Sequence, residues 1–163
     1  VKDRKLSGSN IAQEDEEQAN ADFSALCEAS SEAVIRVGSV ATKLRDAARN
    51  ALVGGRDATS LANSIESLEA LSVTAESIHL DQHSLIANTN MIEISRIQSG
   101  IRLTLAAAQS ALSREETRGS HQRTDFAEQS EDLLYHTTVD QTGATSTLGL
   151  RKGTAGNWVL APQ

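Results

Sequence analysis

The sequence predicts a mainly α protein: an antiparallel helical bundle of three to four helices followed by a short β-like or irregular C-terminal tail. Three observations carry this. Apolar residues recur at intervals of three and four over most of residues 19–113. Aromatic residues make up 2% of the chain against 39% hydrophobic residues in all, so the core must come from Ala, Leu, Ile and Val, which suits packed helices. The single proline, Pro162, lies next to the end and leaves long stretches without a helix breaker.

Residues 1–18 read as a linker from a preceding domain, with Lys2, Arg4 and Lys5, a Ser-Gly-Ser-Asn turn cluster and the acidic run Glu14 to Glu17 leading into a solvated turn of helix. Phe23, Leu26, Cys27, Ala33 and Val34 keep helical spacing, which predicts a first helix from about Ala19 to Glu32. Val40, Leu44, Ala47, Ala51 and Leu52 mark a second from about Ser39 to Leu52, and Gly54-Gly55 stops it. Asp57 offers an N-cap carboxylate to a third helix with Leu61, Ile65, Leu68 and Leu71 or Ser72 on one face, ending near Ser77.

The strongest pattern lies between Asn88 and Ser113. Met91, Ile94, Ile97 or Gln98, Ile101, Leu105, Ala108 and Leu112 step by three or four, so this helix is the spine of the bundle. Gly100 and Ala106-Ala107-Ala108 are small enough for a neighbouring helix to approach closely. Residues 19–113 are thus the helical bundle, and 114–163 a polar loop followed by a β-like tail. Turn signals at Asp140-Gln141-Thr142-Gly143 and Gly153-Thr154-Ala155-Gly156 divide the tail, Tyr135 to Leu160, into three short extended runs. Such a small meander needs the helices or another partner to lie against.

Composition excludes several classes of function. The chain of 163 residues is one domain at roughly 150 residues per domain. A net charge of −7 with unsegregated basic residues argues against a nucleic-acid partner. Cys27 is the only cysteine, so there is no internal disulfide, and a reduced compartment is expected. On an apolar helix face it reads as a small buried hydrophobe. No apolar run reaches the roughly 18 residues a membrane span requires, so direct membrane insertion is not expected. The chain opens on Val1 with Met91 as its only methionine, and is expected to be a piece of a longer protein.

His79 and His83, four apart near Asp81, have metal-ligand spacing, but no third or fourth ligand is evident and no metal site is assigned. Ser120, His121 and Asp125 are the residue types of a hydrolytic triad, yet adjacency in sequence is not triad geometry, and no catalytic residue is assigned. Gly54-Gly55 lacks the spacing of a dinucleotide fingerprint and a preceding strand. An independent acidic bundle acting as an adaptor or filament subunit fits the same composition.

The segment with the most information is "SREETRGSHQRTDF", residues 113–126. It resembles the C-terminal helical domain of the succinate dehydrogenase and fumarate reductase flavoproteins, a superfamily that includes L-aspartate oxidase. Their last long helix runs into Arg-Lys-Glu-Ser-Arg-Gly-x-His-x-Arg-x-Asp, then Pro-Glu-Arg-Asp-Asp and a Lys-His-Thr-Leu strand. Arg114, Glu116, Arg118, Gly119, His121, Arg123, Asp125 and Phe126 match, as do Glu128 and His136-Thr137. Glu115 stands for Lys, Thr117 for Ser and Ala127 for Pro, and "EQSEDLL" replaces the Glu-Arg-Asp-Asp run.

The resemblance implies a parent protein that interconverts succinate and fumarate through FAD and passes electrons to an iron–sulfur subunit. That parent would be cytoplasmic, or held at the inner face of the membrane through partner subunits. The family's flavin-binding, substrate-binding and proton-donating residues all lie in earlier domains, so no cofactor is expected in this chain. Arg114, Glu116, Arg118, Gly119, His121, Arg123, Asp125 and His136 are then expected to form a docking motif against the flavin-binding domain of the same polypeptide. Their chemistry allows it: Gly119 can take a positive φ, Arg118, His121 and Arg123 are planar donors, and Glu115, Glu116 and Asp125 are local acidic partners.

Overall fold

A computed structural model describes residues 13–29, 35–81, 83–84, 87–154 and 156–160. Helix α1 spans Gln13–Ala29, α2 Val37–Leu52, α3 Ala58–Ala75 and α4 Thr89–Ser113. A short 3-10 turn, Glu131–Leu133, precedes strands β1 Tyr135–Val139, β2 Thr145–Lys152 and β3 Trp158–Leu160. The architecture is therefore mainly α with a small antiparallel sheet at the C-terminal end.

Residues 1–12 of the expected linker lie outside the described residues, but from Gln13 the chain is helical, earlier than the expected start at Ala19. Apolar spacing could not mark these turns because residues 13–18 carry no large apolar side chain, while Glu14 to Glu17 suit the positive end of a helix dipole. The expected end at Glu32, with Ala33 and Val34, lies outside the described residues. Helix α2 stops at Leu52, followed by Gly54 at φ +80°. Asp57 and Ser60 form a reciprocal capping box for α3, at 2.7 and 2.9 Å, and Asn88 Oδ1 accepts from the Met91 amide at 2.9 Å to start α4. Helix α3 ends at Ala75, two residues before the expected Ser77.

Helices α2, α3 and α4 pack on one another, and the β1–β2 hairpin rests on α4. Val40, Leu71, Ala75, Ile78, Leu80, Ile94, Ile97 and Ile101 form one buried cluster, joined at its edge by Phe23 and Cys27 of α1. Ala47, Ala51, Leu68 and Ala108 form a second. Fully burying a side chain such as Leu61 or Leu68 is worth about 1.5–3 kcal/mol each. A Cβ on Gly100 would sit 3.1 Å from Leu44 Cδ2, which shows how closely α2 approaches the spine.

The sheet order is β1-β2-β3, antiparallel throughout, with Tyr135 opposite Gly149, Val139 opposite Thr145 and Leu150 opposite Leu160. Alternation along the strands places His136, Leu148, Leu150 and Leu160 on one face.

Candidate functional site

The polar segment after α4 folds back across one end of the bundle, where α2 ends, α3 begins and α4 ends. Each helix terminus there presents backbone groups without an intrahelical partner, and the loop supplies partners. Arg123 Nη1 donates to the carbonyls of Ala111, Leu112 and Arg114 at 3.1, 3.1 and 2.9 Å, closing the last turn of α4. Its Nε and Nη2 donate to the two carboxylate oxygens of Asp125, both at 2.7 Å. Asp125 Oδ2 in turn accepts from the Ala58 amide at 2.9 Å, the first residue of α3. One bidentate pair thus bridges the negative end of α4 to the positive start of α3.

Arg56, in the connection between α2 and α3, completes the arrangement. Its Nη1 donates to Ala51 O at 2.9 Å at the end of α2, and its Nη2 to Ser120 O at 3.2 Å. Its backbone forms a short parallel bridge with Arg123: the Arg56 amide donates to Gln122 O at 3.2 Å, and Arg56 O accepts from the Thr124 amide at 2.8 Å. Arg56 is 6% exposed, and its Nε is the one buried side-chain polar atom among the described residues without a hydrogen-bond partner. Burial, then the neighbouring Arg123 charge, lower its pKa. A Cβ on Gly55 would meet Thr124 Cγ2 at 2.9 Å, so the glycine admits the loop as well as ending the helix.

A second knot holds the loop to the sheet. Glu116 is fully buried and pairs with both Arg114 and Arg118, and its Oε2 accepts from the Ser130 amide at 3.0 Å. Arg114 also donates to Leu133 O at 2.7 Å and Tyr135 O at 2.8 Å, and its guanidinium lies 4.8 Å from the centre of the Tyr135 ring. Arg118 Nη2 reaches Ser130 O at 2.7 Å. Between Arg118 and His121 the chain makes a tight turn closed by two backbone bonds, with Gly119 at φ +59° as its residue type allows. Thr117 Oγ1 donates to Phe126 O at 2.9 Å and accepts from the Arg123 amide at 2.8 Å, pinning the two halves of the loop.

These contacts set the electrostatics. Burial would push the Glu116 carboxyl up, but hydrogen bonds from Arg118, Arg114 and the Ser130 amide outweigh it and hold the pKa at about 2. The Arg123 bond holds the Asp125 carboxyl well below the usual carboxylate range. Burial lowers the His121 pKa against the raising effect of its contact with Arg114 O, and the charges of Arg56, Arg114 and Arg123 lower it further. The site is therefore a fixed lattice of charge-assisted bonds.

All eight residues of the expected docking motif fall in this region, though in two groups. Arg114, Glu116, Arg123 and Asp125 direct their hydrogen bonds into the chain itself. Gly119, His136 and part of Arg118 and His121 remain at the surface. Glu115, expected as a local acidic partner, is exposed. Arg56 was not singled out by the sequence reading. Its only local signal is a cation between a glycine stop and an N-cap, where helix carbonyls accumulate. His79 lies beyond the end of α3, 3.2 Å from Asp81, so His79 and His83 do not share a helix face. Among the described residues no three His, Cys, Asp or Glu side chains come together as a metal site, and no helix is long and apolar enough to cross a membrane.

With this geometry in place, the comparisons with known proteins are consistent with one another. The family model described as "Fumarate reductase flavoprotein C-term" matches residues 41–160. A fumarate reductase flavoprotein subunit of Mycobacterium tuberculosis is 34% identical over 85 residues, which are 52% of this chain and 15% of that protein. Among solved structures, a variant of E. coli quinol fumarate reductase aligns over 86% of this chain and 25% of its own, with a TM-score of 0.69 and 21% identity. The Mycobacterium smegmatis Sdh1 complex in the apo form aligns over 92% of this chain and 24% of its own, with a TM-score of 0.64 and 17% identity. Both likenesses show the fold. The chain therefore spans about a quarter or less of the proteins it matches.

Proposed function

Since this chain belongs to the family of fumarate reductase flavoprotein C-terminal domains, we propose that it is the last domain of an FAD-dependent succinate dehydrogenase or fumarate reductase flavoprotein, and that it braces the flavin-binding domain of the same polypeptide. The parent would interconvert succinate and fumarate and exchange electrons with an iron–sulfur subunit. The observation that carries this reading is the inward use of the motif. Arg114 pairs with Glu116 and Arg123 with Asp125, the second pair also serving the end of α4 and the start of α3, which makes a rigid platform.

The chain's own residues do not fit FAD. A dinucleotide site needs a Gly-rich turn from a parallel strand into a helix, whereas Gly54-Gly55 joins two helices and the described strands form an antiparallel meander. No redox step is assigned to these residues. The exposed His136 lies in β1, the strand that the resemblance ties to the succinate and fumarate branch, and this favours that branch over L-aspartate oxidase.

Two measurements test the reading. The isolated chain, folded by far-ultraviolet circular dichroism, should show no flavin absorbance after FAD addition and gel filtration. A stoichiometric yellow complex would contradict the division of roles. In the full polypeptide, removal of residues 41–160 should weaken flavin retention; unchanged retention and stability would contradict the bracing role.

A further inference from the structure

A shallow groove of about 370 Å³ opens beside the start of β1, with Arg114, Arg118, His121 and His136 around it and Tyr135 and Leu150 in its wall. Among the described residues no carboxylate lines it, in a chain whose net charge is −7. Glu116, which neutralises part of the Arg114 and Arg118 charge, is fully buried beneath. Glu131 is close enough for Arg118 to feel its charge but is not part of the wall. Arg118 Nη1 and both ring nitrogens of His136 have no hydrogen-bond partner among the described residues, so the groove offers donors and no competing acids. A second hollow of similar volume shares Leu134, His136 and Leu150 with the first and continues to Val159 and Leu160, the latter 53% exposed. Together they form a strip that is basic at one end and aliphatic at the other.

We propose that this strip is the docking surface of the chain, and that its occupant is an extended segment of the flavin-binding domain. That segment would place an Asp or Glu carboxylate against Arg118 and His136 and aliphatic side chains on Leu150 and Leu160. The proposal rests on the bracing role above and says where the contact lies. Charge complementarity selects an acidic occupant. A second copy of this chain, whose net charge is −7, would also bring carboxylates to the strip; the source in the same polypeptide follows from the bracing role and from the relatives, of which this chain spans a quarter or less. The aliphatic end supplies the apolar area that a carboxylate contact alone lacks.

Hydrogen exchange read by mass spectrometry, comparing the isolated chain with the full flavoprotein polypeptide, tests the proposal. Amides of residues 118–122, 133–137 and 148–151 should exchange at least about 10-fold more slowly in the full polypeptide. The variant His136→Glu, at an exposed side chain with no hydrogen-bond partner among the described residues, should remove most of that difference while leaving exchange of the isolated chain unchanged. Protection on the α3–α4 face around Val73 and Leu103 instead would overturn the groove and leave the bracing role standing. Protection nowhere would overturn both. Protection of the strip in the isolated chain that grows with its concentration would assign the surface to self-association and overturn the proposal.

Discussion

Arg56 and Arg123 lie side by side in a short parallel bridge, and each guanidinium closes the C-terminal end of a different helix, Arg56 that of α2 and Arg123 that of α4. Two like charges are tolerated there because helix carbonyls and Asp125 surround them. The pair is the point at which segments 67 residues apart in sequence become one structure.

The first prediction concerns Arg56. Replacing it with Met leaves the buried Ala51 O without this donor, at a cost of about 1–3 kcal/mol, and also frees the part-buried Ser120 O, which solvent can reach. Arg56→Met should lower unfolding stability by about 2–3 kcal/mol in urea titrations. Arg56→Lys should recover only part, since one ammonium cannot span both carbonyls. A change within about 0.5 kcal/mol, the usual range for surface substitutions, would contradict the buried role.

Glu116 has a folded pKa of about 2 against an ordinary 4.5. A depressed carboxyl contributes stability that is complete above the ordinary value and is lost as pH falls from about 4.5 through 2. Glu116→Gln should cost about 3–5 kcal/mol at pH 7, because Arg114 and Arg118 lose their shared counter-charge. It should also flatten the acid limb of stability against pH. An acid limb of unchanged slope would place that titration elsewhere.

His121 is shifted the same way for a different reason, since burial and the charges of Arg56, Arg114 and Arg123 disfavour its proton. Its folded pKa lies below the ordinary 6.5, so the neutral ring contributes stability above that value, and this is lost as pH falls through the lowered folded value. His121→Gln should remove the pH dependence of unfolding just below 6.5 while leaving the Glu116 limb intact. An unchanged profile would count against it.

How legible this was in the sequence depends on how local each cause is. Asp57, Asn88 and Gly54 act within one turn of themselves, and the helix starts and the stop they mark are where the spacing put them. The α4 stripe follows from periodicity, and the three short strands from the turn signals that divide the tail. The beginning of α1 did not, because a run of acidic residues carries no apolar rhythm. Arg56 was also hidden, since Ser120 lies 64 residues away and nothing near Arg56 announces it. The family motif pointed to the right loop, but charged residues read as a surface, and the complete burial of Glu116 emerges only when both arginines are placed. The motif's departures are mild for a stated reason: Glu115 and Ala127 are exposed, and Thr117 keeps the hydroxyl that bonds Phe126 O.

Gly55 separates two roles that a pair of glycines can have. Gly54→Ala strains a positive φ, while Gly55→Ala drives a methyl into Thr124 Cγ2. Gly55→Ala should destabilise by about 1–3 kcal/mol and raise exchange at the Thr124 amide. The double variant Gly55→Ala, Thr124→Ser removes the clashing methyl and should restore much of the loss. Failure of that rescue would mean that the contact is not the cause.

The most direct measurement is the stability and amide exchange of Arg123→Lys in the isolated chain. Five hydrogen bonds of this guanidinium serve α4, Asp125 and, through it, α3, so the account predicts a loss of about 3–5 kcal/mol and faster exchange at Ala58 and Thr124 together. A variant as stable as the parent, with exchange altered only at residues 123–125, would show that the loop merely decorates the bundle.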